Sequence, residues 1–128
     1  MRVFAMKSFR RFQRKEGLAD GALLDTIQRA ERGLIDAPLG GGLIKQRAAR
    51  RGQGRSGGYR VIAAYRAGAR AVFLYGFAKN EKDNIATDEL AALRQIADDL
   101  LHAGDDELER MVADDRLTEL SSDEENQG

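Results

Sequence analysis

The spacing of apolar positions changes period several times along the chain, and each change marks an element. Arg2 to Met6 reads as a short strand. From Ser8, a residue able to N-cap, a helix runs to Glu16 with Phe9 and Phe12 on one face, and Gly17 stops it. After Asp20, Leu23, Leu24, Ile27, Ala30 and Leu34 recur at helical spacing, with Gly33 placed as a C-cap. The two helices form a hairpin with an apolar seam; Arg10, Arg11, Arg14 and Lys15 read as its solvated face. Asp36 to Gly42, with Pro38 and three consecutive glycines, reads as a loop.

Period two then takes over. Leu43, Lys45 and Arg47 fall on one face of a strand, and Ile44, Gln46 and Ala48 on the other. Tyr59–Arg66 and Ala71–Ala78 are further strands, joined tightly at Ala67-Gly68-Ala69, and the three make an antiparallel meander. Thr87 can cap a third helix with a stripe of Leu90, Leu93, Ile96 or Ala97, and Leu100. Gly104 breaks it, and a fourth, shorter helix follows from Asp105 or Asp106 through Leu108, Met111 and Val112. Ser121–Gly128 is too polar to pack and is expected to be disordered. This order predicts an α+β domain, a twisted antiparallel sheet with the N-terminal helical hairpin on one face and C-terminal helices.

At 128 residues the chain is long enough for one domain with a modest core. It has no cysteine, which excludes disulfides and thiolate metal sites and fits a reducing compartment. No apolar run approaches the roughly 20 residues of a membrane span, and MRVFAMKSFRRFQRK lacks a signal peptide's apolar core. A cytoplasmic protein is expected. The net charge of zero hides a split: residues 1–82 hold 18 Lys+Arg and 6 Asp+Glu, whereas residues 83–128 hold 3 and 15. Either the basic half meets a polyanion or the two halves pack on each other.

Most familiar chemistry is excluded. Gly52, Gly54 and Gly57 fit GxGxxG, but a strand follows where a dinucleotide site needs a helix. These glycines are better suited to a hairpin loop whose backbone approaches a ligand closely. His102 is the sole histidine, beside acidic neighbours, so no metal site is expected and the acid–base pair of histidine ribonucleases is missing. What remains is cationic: Lys45, Arg47, Arg50, Arg51, Arg55 and Arg60 crowd one stretch without an intervening acid. Arg60 shares a strand face with Ile62 and Ala64, so its charge must either pair with a carboxylate of the C-terminal helix or aim at a phosphate. Lys79 is in phase with Tyr75 and Phe77, which suits either a strand-end lysine over core or a cation beside a stacked base.

GGLIKQRAARRGQGRSGGYRVI and VFLYGFAKNEKDNI, in the strand–helix–helix–three-strand–helix order above, resemble the RelE/ParE superfamily of bacterial toxins from type II toxin–antitoxin modules, most closely its HigB-type branch. The resemblance covers roughly residues 1–100. It divides the chain into a RelE-like toxin domain over 1–103, an acidic helical appendage over 104–120 and the tail 121–128.

The resemblance implies a metal-independent, cofactor-free endoribonuclease that cleaves messenger RNA in the ribosomal A site, with an antitoxin partner, usually a helix-turn-helix protein in this branch. It implies catalytic roles for Lys45, Arg47, Arg60 and Lys79, and RNA or ribosome contacts from Arg50, Arg51, Arg55, Tyr59, Asn80 and Lys82. A base helps the ribose 2′-hydroxyl attack, arginines hold transition-state charge, and a further cation or a tyrosine assists the leaving oxygen. A lysine serves as base only where burial or neighbouring cations favour its neutral form, and Lys45 beside Arg47 and Arg60 is such a setting. Some relatives carry an arginine and a tyrosine where this chain has Asn80 and Ile85/Ala86, so the tyrosine's role is unfilled or falls to Tyr75 or Tyr59. Two other readings are a ParE-like toxin that binds gyrase, which the clustered cations count against, and a non-catalytic RNA-binding regulator.

Overall fold

A computed structural model describes residues 1–50, 54–78 and 85–121, with the backbone alone at 50 and 54–57. In chain order the elements are β1 (Arg2–Met6), α1 (Lys7–Glu16), α2 (Asp20–Glu31), β2 (Ala37–Gly40), β3 (Leu43–Arg50), β4 (Gly54–Arg66), β5 (Arg70–Ala78), α3 (Thr87–His102), α4 (Asp105–Ala113) and β6 (Leu117–Leu120). The strands form one sheet in the order β2-β3-β4-β5-β1-β6. Every described pairing is antiparallel except β1 with β5, which is parallel.

Helices cover both faces, which explains why the middle strands are apolar at both parities. Phe9, Leu23 and Ile27 of α1 and α2 pack on Ile44, Ala48, Tyr59, Val61, Ala63 and Phe73. On the other face, Ala97, Leu100 and Leu108 of α3 and α4 pack on Phe4, Leu43, Ile62, Val72, Leu74 and Phe77. Gly17 ends α1 at φ 69°, a conformation that costs glycine little. The N-caps of the first two helices are Met6 and Ala19, each one position or more before the capping side chains read from sequence.

Three segments differ from expectation. Residues 37–40 are a short edge strand instead of a loop, with Pro38 tolerated because an edge residue need not donate on both sides. β4 starts at Gly54, so the glycine-rich connection read from sequence is mostly strand. Residues 104–120, expected as a helical appendage, hold a helix and a strand; β6 pairs with β1 and sends Leu117 and Leu120 into opposite cores. Its acids meet one end of the sheet. Arg2 pairs with Glu119 at 2.9 Å and Glu109 at 2.5 Å, and Arg70 donates to the carbonyls of Leu100 and Ala103 at 2.9 and 2.6 Å.

A β-bulge decides the chemistry of the other face. Ile62 pairs with Tyr75 but Ala63 pairs with Phe73, which leaves Leu74 as the extra residue. Strict alternation would put Phe73, Tyr75 and Phe77 together under the N-terminal helices. The bulge flips the parity, and Tyr75 and Phe77 join the α3 side instead. The turn at the sheet's other edge is clamped from the same side. Arg94 of α3 donates to the Leu39 carbonyl at 3.0 Å, and Leu101 lies 2.6 Å from where a Cβ on Gly42 (φ +84°) would stand.

Candidate active site

The register of β3 on β4 sets Lys45 opposite Ile62 and Arg47 opposite Arg60. The next pairing sets Ile62 opposite Tyr75 and Arg60 opposite Phe77. Residues directly opposite share a face, so Lys45, Arg47, Arg60, Tyr75 and Phe77 all lie on the α3 side, where Phe77 and part-buried Tyr75 belong to the apolar core and the three cations stand beside it. A cleft of about 280 Å³ opens beside the three cations, lined by Asp36, Ala37, Lys45, Gln46, Arg47 and Arg60. That is near the lower end of small-molecule pockets, room for a phosphate with its sugar.

Arg60 is half-buried, and its buried Nη1 has no hydrogen-bond partner among the described residues. Buried donors are nearly always paired, and a guanidinium cannot shed its charge to escape the cost. Among the described residues no carboxylate reaches it; the C-terminal acids pair with Arg2, Lys7 and Arg70. Arg70 and Phe77 are at opposite ends of β5, roughly 20 Å apart at the rise of a strand. The acids of α4 and β6 that pair with these cations therefore sit at the far end of the sheet from Phe77.

One carboxylate does enter the cleft wall. Asp36 Oδ2 accepts from the Arg47 backbone N–H at 2.7 Å and from Arg29 Nη1 at 3.2 Å, and Oδ1 accepts from Arg47 Nη2 at 3.2 Å. Burial works to raise the Asp36 pKa, but the bonds from Arg47 and Arg29 outweigh it and hold the carboxyl below its ordinary value. Beneath it, buried Gln46 ties the layer to α2: its amide donates to the carbonyls of Thr26 and Leu34 at 3.0 and 3.1 Å, and its oxygen accepts from the Asp36 N–H at 2.6 Å. No sequence pattern singles Asp36 out as a site residue. The one available signal is that it is the only acid between Glu31 and Glu81.

The remaining residues named from sequence divide three ways. Tyr59 is a correction: it lies at the opposite parity, 1% exposed, with its hydroxyl bonded to the Glu16 carbonyl at 3.1 Å and its ring edge-on to Phe12. It presents no ring to the cleft, because both faces of this sheet are covered and apolar residues of either parity become core. Tyr75 does lie on the cleft face, half-buried, its ring 6.0 Å from that of Phe77. Arg50 and Arg55 belong to β3 and β4, with side chains outside the description; Arg51, Lys79, Asn80 and Lys82 lie outside the described residues. His102 sits exposed on α3, with Nδ1 2.8 Å from the Asp98 carbonyl. Among the described residues no three of His, Cys, Asp and Glu are grouped to hold a metal, and no helix is long and apolar enough to cross a membrane.

A family model described as the RelE toxin of the RelE / RelB toxin-antitoxin system matches residues 1–120. The match runs to the end of β6 and so takes in the segment that sequence alone sets outside the toxin domain. It is to the family as a whole and does not separate the HigB-type branch. No curated protein matches the chain.

Proposed function

The chain belongs to the RelE toxin family of toxin–antitoxin systems, and from that premise we propose that it is a ribosome-dependent endoribonuclease that cuts messenger RNA in the A site. The observation that carries the reading is the buried Nη1 of Arg60, without a partner among the described residues, on the wall of a cleft that also holds Lys45 and Arg47. In this reading the ribose 2′-hydroxyl loses its proton to Lys45 and its oxygen bonds to the adjacent phosphorus. Arg47 and Arg60 hold the extra charge of the pentavalent transition state. The bond to the 5′-oxygen then breaks, that oxygen takes a proton from a cation at the end of β5, the role proposed for Lys79, and a 2′,3′-cyclic phosphate remains. The cations supply the charge that a metal ion would otherwise bring. Preorganised donors of this kind contribute most where charge develops only in the transition state.

Family membership implies an antitoxin partner. A helix-turn-helix antitoxin, ribosome and messenger RNA as partners, and a cytoplasmic site of action follow from the same proposal. Arg50, Arg51, Arg55, Asn80 and Lys82 are proposed to supply RNA contacts, as a salt-sensitive electrostatic contribution.

The test is single-turnover cleavage on programmed ribosomes, with primer extension to map cuts. Wild-type protein should cut inside codons. Arg60→Ala should lower the bound rate about 10²–10³-fold with little change in ribosome affinity, and Arg60→Lys should not restore it, because an ammonium lacks the bidentate fork. DNA damage without RNA cuts would move the assignment to a gyrase-directed toxin, and ribosome binding without cuts to a non-catalytic regulator. A folded Arg60→Ala that cuts at the wild-type rate would end the catalytic assignment of this cleft.

A further inference from the structure

We propose that Asp36 is a positioning residue that fixes Arg47 beside Arg60 and so preforms the phosphate-binding pair; the inference rests on the ribonuclease reading for its catalytic consequence, not for its geometry. β2 pairs with β3 only as far as Ala37 opposite Lys45. Beyond that point Arg47 would present an unpaired N–H and C=O at the edge. Two side chains take the place of the missing strand: the Asp36 carboxylate accepts the Arg47 N–H at 2.7 Å, and Arg29 Nη2 donates to the Arg47 carbonyl. Arg29 is only 3% exposed and comes from α2, so the edge is built on the core and not on solvent.

The same bonds determine how near the two arginines stand. Since the Arg47 N–H and C=O point toward Asp36 and Arg29, they do not point toward β4. The neighbouring bond from Tyr65 N–H to the Gly42 carbonyl, at 2.8 Å, agrees with this phase. Arg47 and Arg60 are therefore a non-hydrogen-bonded antiparallel pair, the closer of the two kinds, with Cα atoms about 4.5 Å apart. Like charges directly opposite repel. Left alone, Arg47, 46% exposed, would swing into water. Asp36 opposes that with a bond from Oδ1 to the Arg47 guanidinium while Oδ2 holds the backbone. Gln46 in turn holds the Asp36 backbone, which leaves the carboxylate little freedom. With both oxygens engaged by cations, Asp36 is poorly suited to take a proton from substrate. Its part is to aim Arg47.

The test uses the full chain on programmed ribosomes with Asp36→Asn, Arg47→Ala and the double variant. Asparagine can still accept the Arg47 N–H but cannot hold two guanidinium groups by charge. Asp36→Asn should slow bound-state cleavage about 10- to 100-fold, the scale of a small misplacement of a catalytic group. Ribosome affinity should be unchanged or tighter, because a negative charge has left a cationic surface. The double variant should be no slower than Arg47→Ala alone, since the two act as one unit. Asp36→Glu, which keeps the charge, should recover most of the lost rate and serves if the asparagine variant folds poorly. A readout independent of cleavage is the ¹⁵N–¹H spectrum of the arginine side chains, where a slowly exchanging Arg47 guanidinium should be lost in Asp36→Asn. Multiplying losses in the double variant, an Asp36→Glu no faster than Asp36→Asn, or an unchanged Arg47 signal would overturn the proposal. If wild type cuts and Arg47→Ala is slow while folded Asp36→Asn cuts normally, only this inference falls. If wild type never cuts, the catalytic part falls with the ribonuclease reading.

Discussion

Replacing Arg60 by methionine should make the protein more stable and inactive at once. Methionine keeps an unbranched stem of similar length, so the volume the stem fills opposite Phe77 is largely retained. What it removes is a buried Nη1 with no partner among the described residues and a positive charge directly opposite Arg47. An unsatisfied buried donor costs about 1–3 kcal/mol, and a like-charged cross-strand pair adds roughly 0.2–1 kcal/mol, the low end applying here because Asp36 offsets Arg47. The expected gain is therefore about 1–3 kcal/mol, which for a domain of this size corresponds to a rise in Tm of roughly 3–10 °C. Thermal and urea melts of the two proteins, run beside single-turnover cleavage, read both effects. A lower Tm for Arg60→Met would refute the reasoning, because it would mean that the guanidinium holds the fold through a partner and is not an idle charge awaiting a phosphate.

Truncation after Ala103 removes Leu108, Leu117 and Leu120, each 5% exposed or less, and uncovers Phe4. At about 1.5–3 kcal/mol per buried leucine the loss rivals a typical domain stability of roughly 5–15 kcal/mol, so the truncated chain should show no cooperative melt in a thermal scan. Acid should also weaken the fold. Bonds from Arg2, acting against burial, lower the Glu119 pKa, and bonds from Arg47 and Arg29 outweigh burial to lower that of Asp36, so their stabilisation is complete above the ordinary values of 4.5 and 3.8 and is lost as pH falls through the lower folded values. Urea midpoints measured from pH 6 down to pH 2.5 should fall below about pH 4.5, and Glu119→Gln should flatten that slope; equal slopes would assign the acid sensitivity elsewhere.

Local patterning was enough to place much of this molecule. The alternation of Leu43–Ala48 is the one observed, with Lys45 and Arg47 on the face of Leu43 and Gln46 on the face of Ile44. The helical hairpin and the stop at Gly17 follow from residues a few positions apart. Arg60 stood out in sequence because a charge among strand-core positions is conspicuous wherever the strand goes, and the family match agrees with the fold read from element order.

The rest depended on partners far apart in the chain. β6 is four residues, too short for period two to distinguish it from a loop, and it is a strand only because β1 offers an edge to it. The parallel pairing of β1 with β5 joins residues about seventy apart, and nothing local records it. Tyr59 and Tyr75 look alike in sequence, yet one is core under the N-terminal helices and the other lies on the α3 side, because a bulge at Leu74 reverses parity and helices on both faces make either parity apolar. Asp36 reads as the start of a loop, and it becomes the brace of Arg47 only once β2 ends short and Arg29 of α2 arrives behind it. Period and composition determine which residues can lie on a face; only the closed sheet determines which charges end up within reach of one another, because Coulomb and hydrogen-bond energies depend on distances that the folded chain alone sets.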